Sequence, residues 1–246
     1  PAYARLHREH KIGALCVQEH VPKAGARIAS ALGPSFAVAL HQAAPRLAIV
    51  YDRSRLSLRR LTAVTMPRLS YVPLWQRLYT SATPETKHAL VANFSPPLTV
   101  VNFHLDAAGD NEHRTAQIRS FSTALPIARS PLVVCGDTNA FTLSKARAEA
   151  ALGSVLRPLQ RRHNLRDAHA KQPADTHFFA RADEPKIGQR LAVTLGSLGI
   201  DFPRRYDVIC TNTPVAEAGH VCTPASDHDL VWASLLLPKY ERRRSE

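Results

Sequence analysis

Acidic residues are scarce in this sequence: 20 Asp and Glu stand against 32 Lys and Arg in 246 residues, a formal charge of +12. That imbalance favours a polyanionic partner, nucleic acid or another phosphorylated surface, and says nothing about the fold. A plainer reading carries about equal weight, a basic organelle-matrix or ribonucleoprotein environment that biases the whole surface. The four cysteines, Cys16, Cys135, Cys210 and Cys222, form no CxxC pair. Three of them sit in apolar strand-like runs, where a thiol behaves as a small hydrophobe, so they read as reduced, structural and intracellular. No apolar run approaches the ~20 residues needed to span a bilayer. There is no GxGxxG, no GxxxxGK[ST] and no internal repeat, which leaves out the glycine-rich phosphate cradles and the solenoids. The opening PAYARLHREH has neither the apolar core of a secretory signal nor an initiator Met, so further sequence upstream of Pro1 is expected.

What is present is 45% hydrophobic, enough for the core of one domain, expected over residues 1–238 with a basic tail at 239–246. ARLHREH reads as the end of a polar helix, IGALCV as a buried strand, and RIASALG as a helix closed by Gly33. RLAIVYD and the basic run RSRLSLRRLTAVTM read as strands, and residues 67–85, with three prolines, Tyr71, Trp75 and Tyr79, as a loop with helical turns. KHALVANF and LTVVNFHL form a hairpin around Ser95-Pro96-Pro97. A helix starting at Asp110 or Asn111 leads into the strand LVVCGD. A helix over 143–152 and roughly fifty irregular residues follow, a length that in a compact domain points to insertions and partner contacts. The chain closes with the strand RYDVICTN, a loop through Pro224, the tetrapeptide SDHD and the strand LVWASLLL. Strands interleaved with helices make the fold class α/β, with sheet layers covered by helices.

Five strand-like runs end in polar chemistry: Glu19 after CVQ, His104 after VVNF, Asp137 and Asn139 in GDTN, Asp207 in RYDVI, and Asp227 and His228 in SDHD. Polar groups placed where buried strands emerge are how an α/β scaffold builds a site at a sheet edge. Singly, each has an ordinary explanation: a surface charge, a core histidine, an Asx turn, a cap. Asp207 is the least ordinary, because a carboxylate inside an apolar strand needs a partner. Glu and Asp oxygens suit Mg²⁺, while an amide, an imidazole and further carboxylates can position water and touch a phosphate.

The ordered series QE, N-x-HL, R-x-x-Q (Arg114, Gln117), GD-x-N, Y-D-x-I and SDH resembles the endonuclease/exonuclease/phosphatase superfamily, from about Leu15 to Leu237. The GDTN form looks nearest to its tyrosyl-DNA phosphodiesterase branch, but Thr138 and the residues after Asn139 leave the branch open. The resemblance implies a four-layered α/β/β/α sandwich of the DNase I-like type and metal-dependent cleavage of a phosphoester. It implies Glu19 as the Mg²⁺ (or Mn²⁺) carboxylate with Asp227 beside the metal, and Asp137 orienting or deprotonating the attacking water. Asn139 would hold the phosphate or that water, His228 would contact the scissile phosphate, Asp207 would hold His228 from behind, and His104 would add a hydrogen bond. The family also carries an asparagine on a strand upstream of QE, so the first strand is expected to lie outside the chain or to be missing. The long segment from Gly153 to Arg205 offers only Thr176-His177-Phe178-Phe179 as a stacking or core cluster.

Three functions stay open. The leading one is a Mg²⁺-dependent phosphodiesterase or nuclease acting on RNA or DNA through a basic surface. The second is a catalytically idle subunit of a large ribonucleoprotein, such as an organellar ribosome, binding RNA. The third is a phosphatase or phospholipase on a small substrate. The expected setting is intracellular, with the mitochondrial matrix or the nucleus as candidates, and no membrane span.

Overall fold

The computed structural model describes residues 2–74, 76–77, 84–127, 130–140, 147–178, 190, 194, 204–223 and 226–238. Trp75, Tyr79, Phe141, Phe179 and the tail from 239 lie outside them.

Residues 2–52 build one small sheet with its helices. Helix α1 (Ala2–His10) leads into β1 (Ala14–Val17); α2 (Ala24–Leu32) is followed by β2 (Phe36–Leu40) and β3 (Ala48–Asp52). Gly33, at φ 130°, ends α2 in a conformation that side-chain-bearing residues rarely adopt. The three strands pair antiparallel in the order β1-β3-β2. FAVAL, between the helix and the HQAAP turn, was not expected as a strand; pairing with β3 from Phe36↔Asp52 to Leu40↔Ala48 makes it one.

The larger sheet has the order β4-β5-β6-β7-β9-β8. Its members are β4 (Ser57–Thr65), β5 (His88–Ser95), β6 (Leu98–His104), β7 (Leu132–Asp137), β8 (Arg166–Asp167) and β9 (Asp207–Thr211). Helix α3 (Asn111–Ala124) makes the crossover from β6 to the parallel β7. It starts where expected: the Asp110 carboxylate accepts the His113 N–H at 2.8 Å. Helix α4 (Ala148–His163) runs well past Leu152, into the stretch expected to be irregular, with Pro158 inside it. Gly153 and Pro158 argue against a helix locally; burial of Leu152, Val155, Leu156 and Leu159 on one stripe outweighs them. A second correction lies near the end, where VAEAGHV, read as loop, is β10 (Val215–Val221) paired with β11 (Leu230–Leu235).

Three apolar clusters define four layers. Ala29, Leu32, Phe36 and Val50 join α2 to the small sheet. Ile49, Tyr51, Leu90, Phe94, Val100, Val133 and Ile209 fill the space between the sheets. Val101, Phe103, Ile118, Phe121, Val134, Leu156, Leu159 and Val208 join the large sheet to α3 and α4. The α/β/β/α sandwich expected from the motif series is the architecture observed. Among the described residues, no helix is long and apolar enough to cross a membrane.

Candidate active site

The site is laid out by strand register. His104 ends β6 opposite Asp137 at the end of β7, and Asp137 lies opposite Asp207 at the start of β9. Residues paired across neighbouring strands share a face, so these three side chains form a row at one sheet edge. Alternation along the strands puts that row on the face where Val100, Val133 and Ile209 pack toward the small sheet. The tight spacing of β6 and β7 explains the glycine of GD-x-N: a Cβ on Gly136 would lie 2.2 Å from the Phe103 carbonyl oxygen.

Asp137 is held from several directions. Its Oδ1 accepts the Asn139 N–H at 2.8 Å, and its Oδ2 accepts the Asn139 Nδ2 at 3.2 Å. Asn139 also donates to the Leu105 carbonyl at 3.1 Å and adopts the left-handed backbone, φ 46°. The GDTN segment is therefore the turn that its composition suggests, and the turn is what aims the carboxylate. Oδ2 of Asp137 also faces two imidazoles, His104 Nε2 at 3.6 Å and His228 Nε2 at 3.9 Å.

The two histidines are driven to opposite charge states. Burial pushes His104 down to about 4, against the pull of Asp137, with Lys87 and His228 adding to the depression. Burial also disfavours charge on His228, but Asp207, Asp137 and Asp227 together outweigh it and raise its pKa to about 10. Near neutral pH the carboxylate thus lies between a neutral imidazole and an imidazolium. His228 Nδ1 donates to Asp207 Oδ2 at 2.8 Å. The SDH backbone is pinned as well: His228 N–H reaches Ser226 Oγ at 3.0 Å, and Thr223 Oγ1 donates to the His228 carbonyl.

The remaining motif residues take other places. Glu19 is exposed just beyond β1, in the left-handed conformation at φ 51°, without an ion pair or hydrogen bond among the described residues. Its neighbour Gln18 donates to Asn102 Oδ1 at 2.5 Å, and Asn102, fully buried, donates to the carbonyls of Val17 and Ala48 at 2.9 Å each. The asparagine of N-x-HL therefore ties β1 and β3 of the small sheet to β6, two residues before His104. As a free oxygen donor at a sheet end, Glu19 fits a Mg²⁺ ion, which keeps most of its waters and takes few carboxylates. Asp227 has its Oδ2 3.5 Å from His177 Nε2, and its pKa is lowered chiefly by that contact. It clusters with His177 and His228, one ligand atom from each lying within 4.8 Å of the others. Arg114 and Gln117 lie under the site: Arg114 donates to the Asp106 and Ala107 carbonyls, and Gln117 both accepts from Asp106 N and donates to Asp106 Oδ2, fixing the loop after His104.

The sequence reading missed the part played by 176–178. Thr176 Oγ1 accepts from the backbone N–H of both Tyr206 and Asp207 at 3.1 Å, and His177 bridges Arg204 on one side and His228 on the other. This short extended piece joins Y-D-x-I to SDH. Its one signal was a histidine flanked by Thr and Phe, which a core cluster explains equally well.

Among solved structures, the chain superimposes on an endonuclease/exonuclease/phosphatase from Bacteroides vulgatus with TM-score 0.65, at 15% identity, over 96% of this chain and 89% of that one. The chain has the endonuclease/exonuclease/phosphatase fold. Other neighbours with this fold are the mannosyl-6-phosphatase Bt3783 of Bacteroides thetaiotaomicron (TM-score 0.60, 13% identity, 96% and 89% covered) and TDP2 of D. rerio complexed with a single-strand DNA product (TM-score 0.58, 14% identity, 89% and 80% covered). The sequence matches no family model and no curated protein. A fold shared by a phosphatase and a DNA-bound protein does not select a branch. Thr138 does not select one either, because its hydroxyl is engaged in structure: fully buried, it donates to the Tyr206 carbonyl at 2.9 Å.

Proposed function

We propose that the chain is a phosphoesterase that cleaves phosphoester bonds in nucleic acid. The observation that carries the reading is the row His104–Asp137–Asp207 closed by His228, with Asp207 on Nδ1 of that imidazole and Asp137 facing its Nε2. Asp137 orients the attacking water and takes its proton, and Asn139 fixes the carboxylate in place for that step. His228, positively charged, donates from Nε2 to a phosphate oxygen, where charge accumulates as the bond breaks, and Asp207 balances the imidazolium. His104, neutral, offers a further hydrogen bond beside them. Glu19 would hold a divalent ion, Mg²⁺ by its oxygen chemistry, which when bound supplies Lewis-acid polarisation of the phosphate. The fold neighbours, a phosphatase and a protein crystallised with a DNA product, support phosphoester chemistry. The charge of +12 favours a polyanion over a small substrate.

Incubating the protein with Mg²⁺ and single-stranded RNA, single-stranded DNA, or abasic and 3′-blocked duplexes tests the proposal. Cleavage of at least one substrate is expected, reduced on the order of 100-fold or more in Asp137→Ala with binding retained. No cleavage of any of them by the folded wild type sinks it.

A further inference from the structure

We propose that His177, Asp227 and His228 form a second metal site, sharing His228 with the row, that takes a borderline transition ion such as Zn²⁺ in preference to Mg²⁺. The donor set decides the class of ion. Two imidazole nitrogens and one carboxylate oxygen, with ligand atoms within 4.8 Å of one another, match the ligands of Zn²⁺ and its first-row neighbours, whereas Mg²⁺ selects oxygen. Three protein ligands also leave a coordination position for water or a phosphate oxygen, as in open zinc sites.

Three further features show a site built ahead of its ion. The Asp207 carboxylate on His228 Nδ1, at 2.8 Å, fixes the ring and leaves Nε2 as the ligating nitrogen, the carboxylate–histidine arrangement that supports metal-bound imidazoles. The backbones carrying the ligands are locked together: His177 bridges His228, Phe178 N–H reaches the Asp227 carbonyl at 2.8 Å, and Asp229 N–H reaches the Thr176 carbonyl at 2.7 Å. The His177 side chain is 7% exposed and that of Asp227 38%, so the cluster is closed behind the histidine and open to an entering ion on the carboxylate side. The consequence rests on the proposed function. An ion on His228 displaces the Nε2 proton to solvent and occupies the nitrogen that would contact the phosphate, so Zn²⁺ inhibits cleavage where Mg²⁺ supports it.

Calorimetric titration with Zn²⁺ in an excess of Mg²⁺ reads the site without reference to activity. Saturable binding of a single ion is expected, lost in His177→Ala, weakened about 10- to 100-fold in Asp207→Asn, and unchanged in Glu19→Gln. Absence of saturable binding, or binding that persists in both His177→Ala and Asp227→Asn, overturns the site. Should the variants fail to fold, Co²⁺ added to the wild type decides: paramagnetic shifts on the His177 and His228 rings support it, and unshifted rings overturn it. Relief of Zn²⁺ inhibition in His177→Ala tests the consequence. A protein that binds Zn²⁺ as described and cleaves nothing loses the proposed function and keeps the metal site.

Discussion

The Asp137 carboxylate at the centre of the row acts between two histidines whose protonation is set by opposite balances of burial and charge. His104 has too little compensating charge to offset its burial, so its folded pKa of about 4 lies below the 6.5 of an unfolded histidine. The unfolded chain therefore binds a proton first as pH falls, and the stability carried by neutral His104 is present above 6.5 and lost as pH drops toward 4. That loss amounts to about 3 kcal/mol; urea unfolding of wild type and His104→Gln between these pH values should show the acid sensitivity shrinking in the variant. His228 runs the other way. Its imidazolium is kept to about 10, so its contribution to stability is complete below 6.5 and disappears as pH rises through 10. Asp207→Asn removes the negative charge beside Nδ1 while leaving an oxygen acceptor, and NMR titration should find the His228 pKa lower than in the wild type, with cleavage falling at a lower pH. An unchanged His228 titration would mean that Asp137 and Asp227 alone hold the charge.

Individual elements put these residues in position, and three contacts do most of it. β7 can approach β6 as closely as it does because Gly136 has no side chain; Gly136→Ala places a Cβ against the Phe103 backbone and should cost about 3 kcal/mol in denaturant unfolding, at the upper end of overpacking penalties. Asn102 ties β6 to the small sheet through three hydrogen bonds. Asn102→Leu leaves the buried carbonyl of Ala48 and the half-buried one of Val17 without that donor and should cost about 1–3 kcal/mol, with cleavage falling further than stability because Glu19 loses its fixed neighbour. Helix α3 works through Arg114 and Gln117 on the loop after His104. The R-x-x-Q motif is thus read correctly as part of the pattern, and its work is to hold the loop. Elements the sequence hid were those with weak local signals. VAEAGHV carries a glycine and alternates poorly, and it is a strand because β11 pairs with it; α4 crosses Gly153 and Pro158 because its apolar stripe has α3 and the large sheet to bury against.

Across the whole molecule, four layers bring together residues from His104 to His228, and the site lies where the strands of the large sheet emerge beside the small one. The excess of basic residues, +12 over the chain, should make nucleic-acid association strongly salt-dependent. A fluorescence-anisotropy titration with single-stranded RNA or DNA is expected to lose affinity by about two orders of magnitude or more between about 50 and 200 mM salt. Salt-insensitive binding would put recognition in specific polar contacts and not in counterion release.

The amino-acid order by itself determined the polar strand ends, their succession and the fold class, because buried apolar runs closed by Glu19, His104, Asp137, Asp207 and His228 carry their signal locally; the four-layered architecture was implied only by the resemblance that the ordered motif series carries. Only the tertiary structure decided which of them meet. The match of register between β6, β7 and β9 brings His104, Asp137 and Asp207 into one row. Backbone pairing across residues from distant parts of the chain brings His177 against His228 and Asp227. Glu19 is not part of that cluster, and the charge states of the two histidines depend on burial and on carboxylates up to 91 positions away, Asp137 from His228. Register, burial and long-range charge depend on distances between residues far apart in the chain, and no spacing in the sequence expresses them.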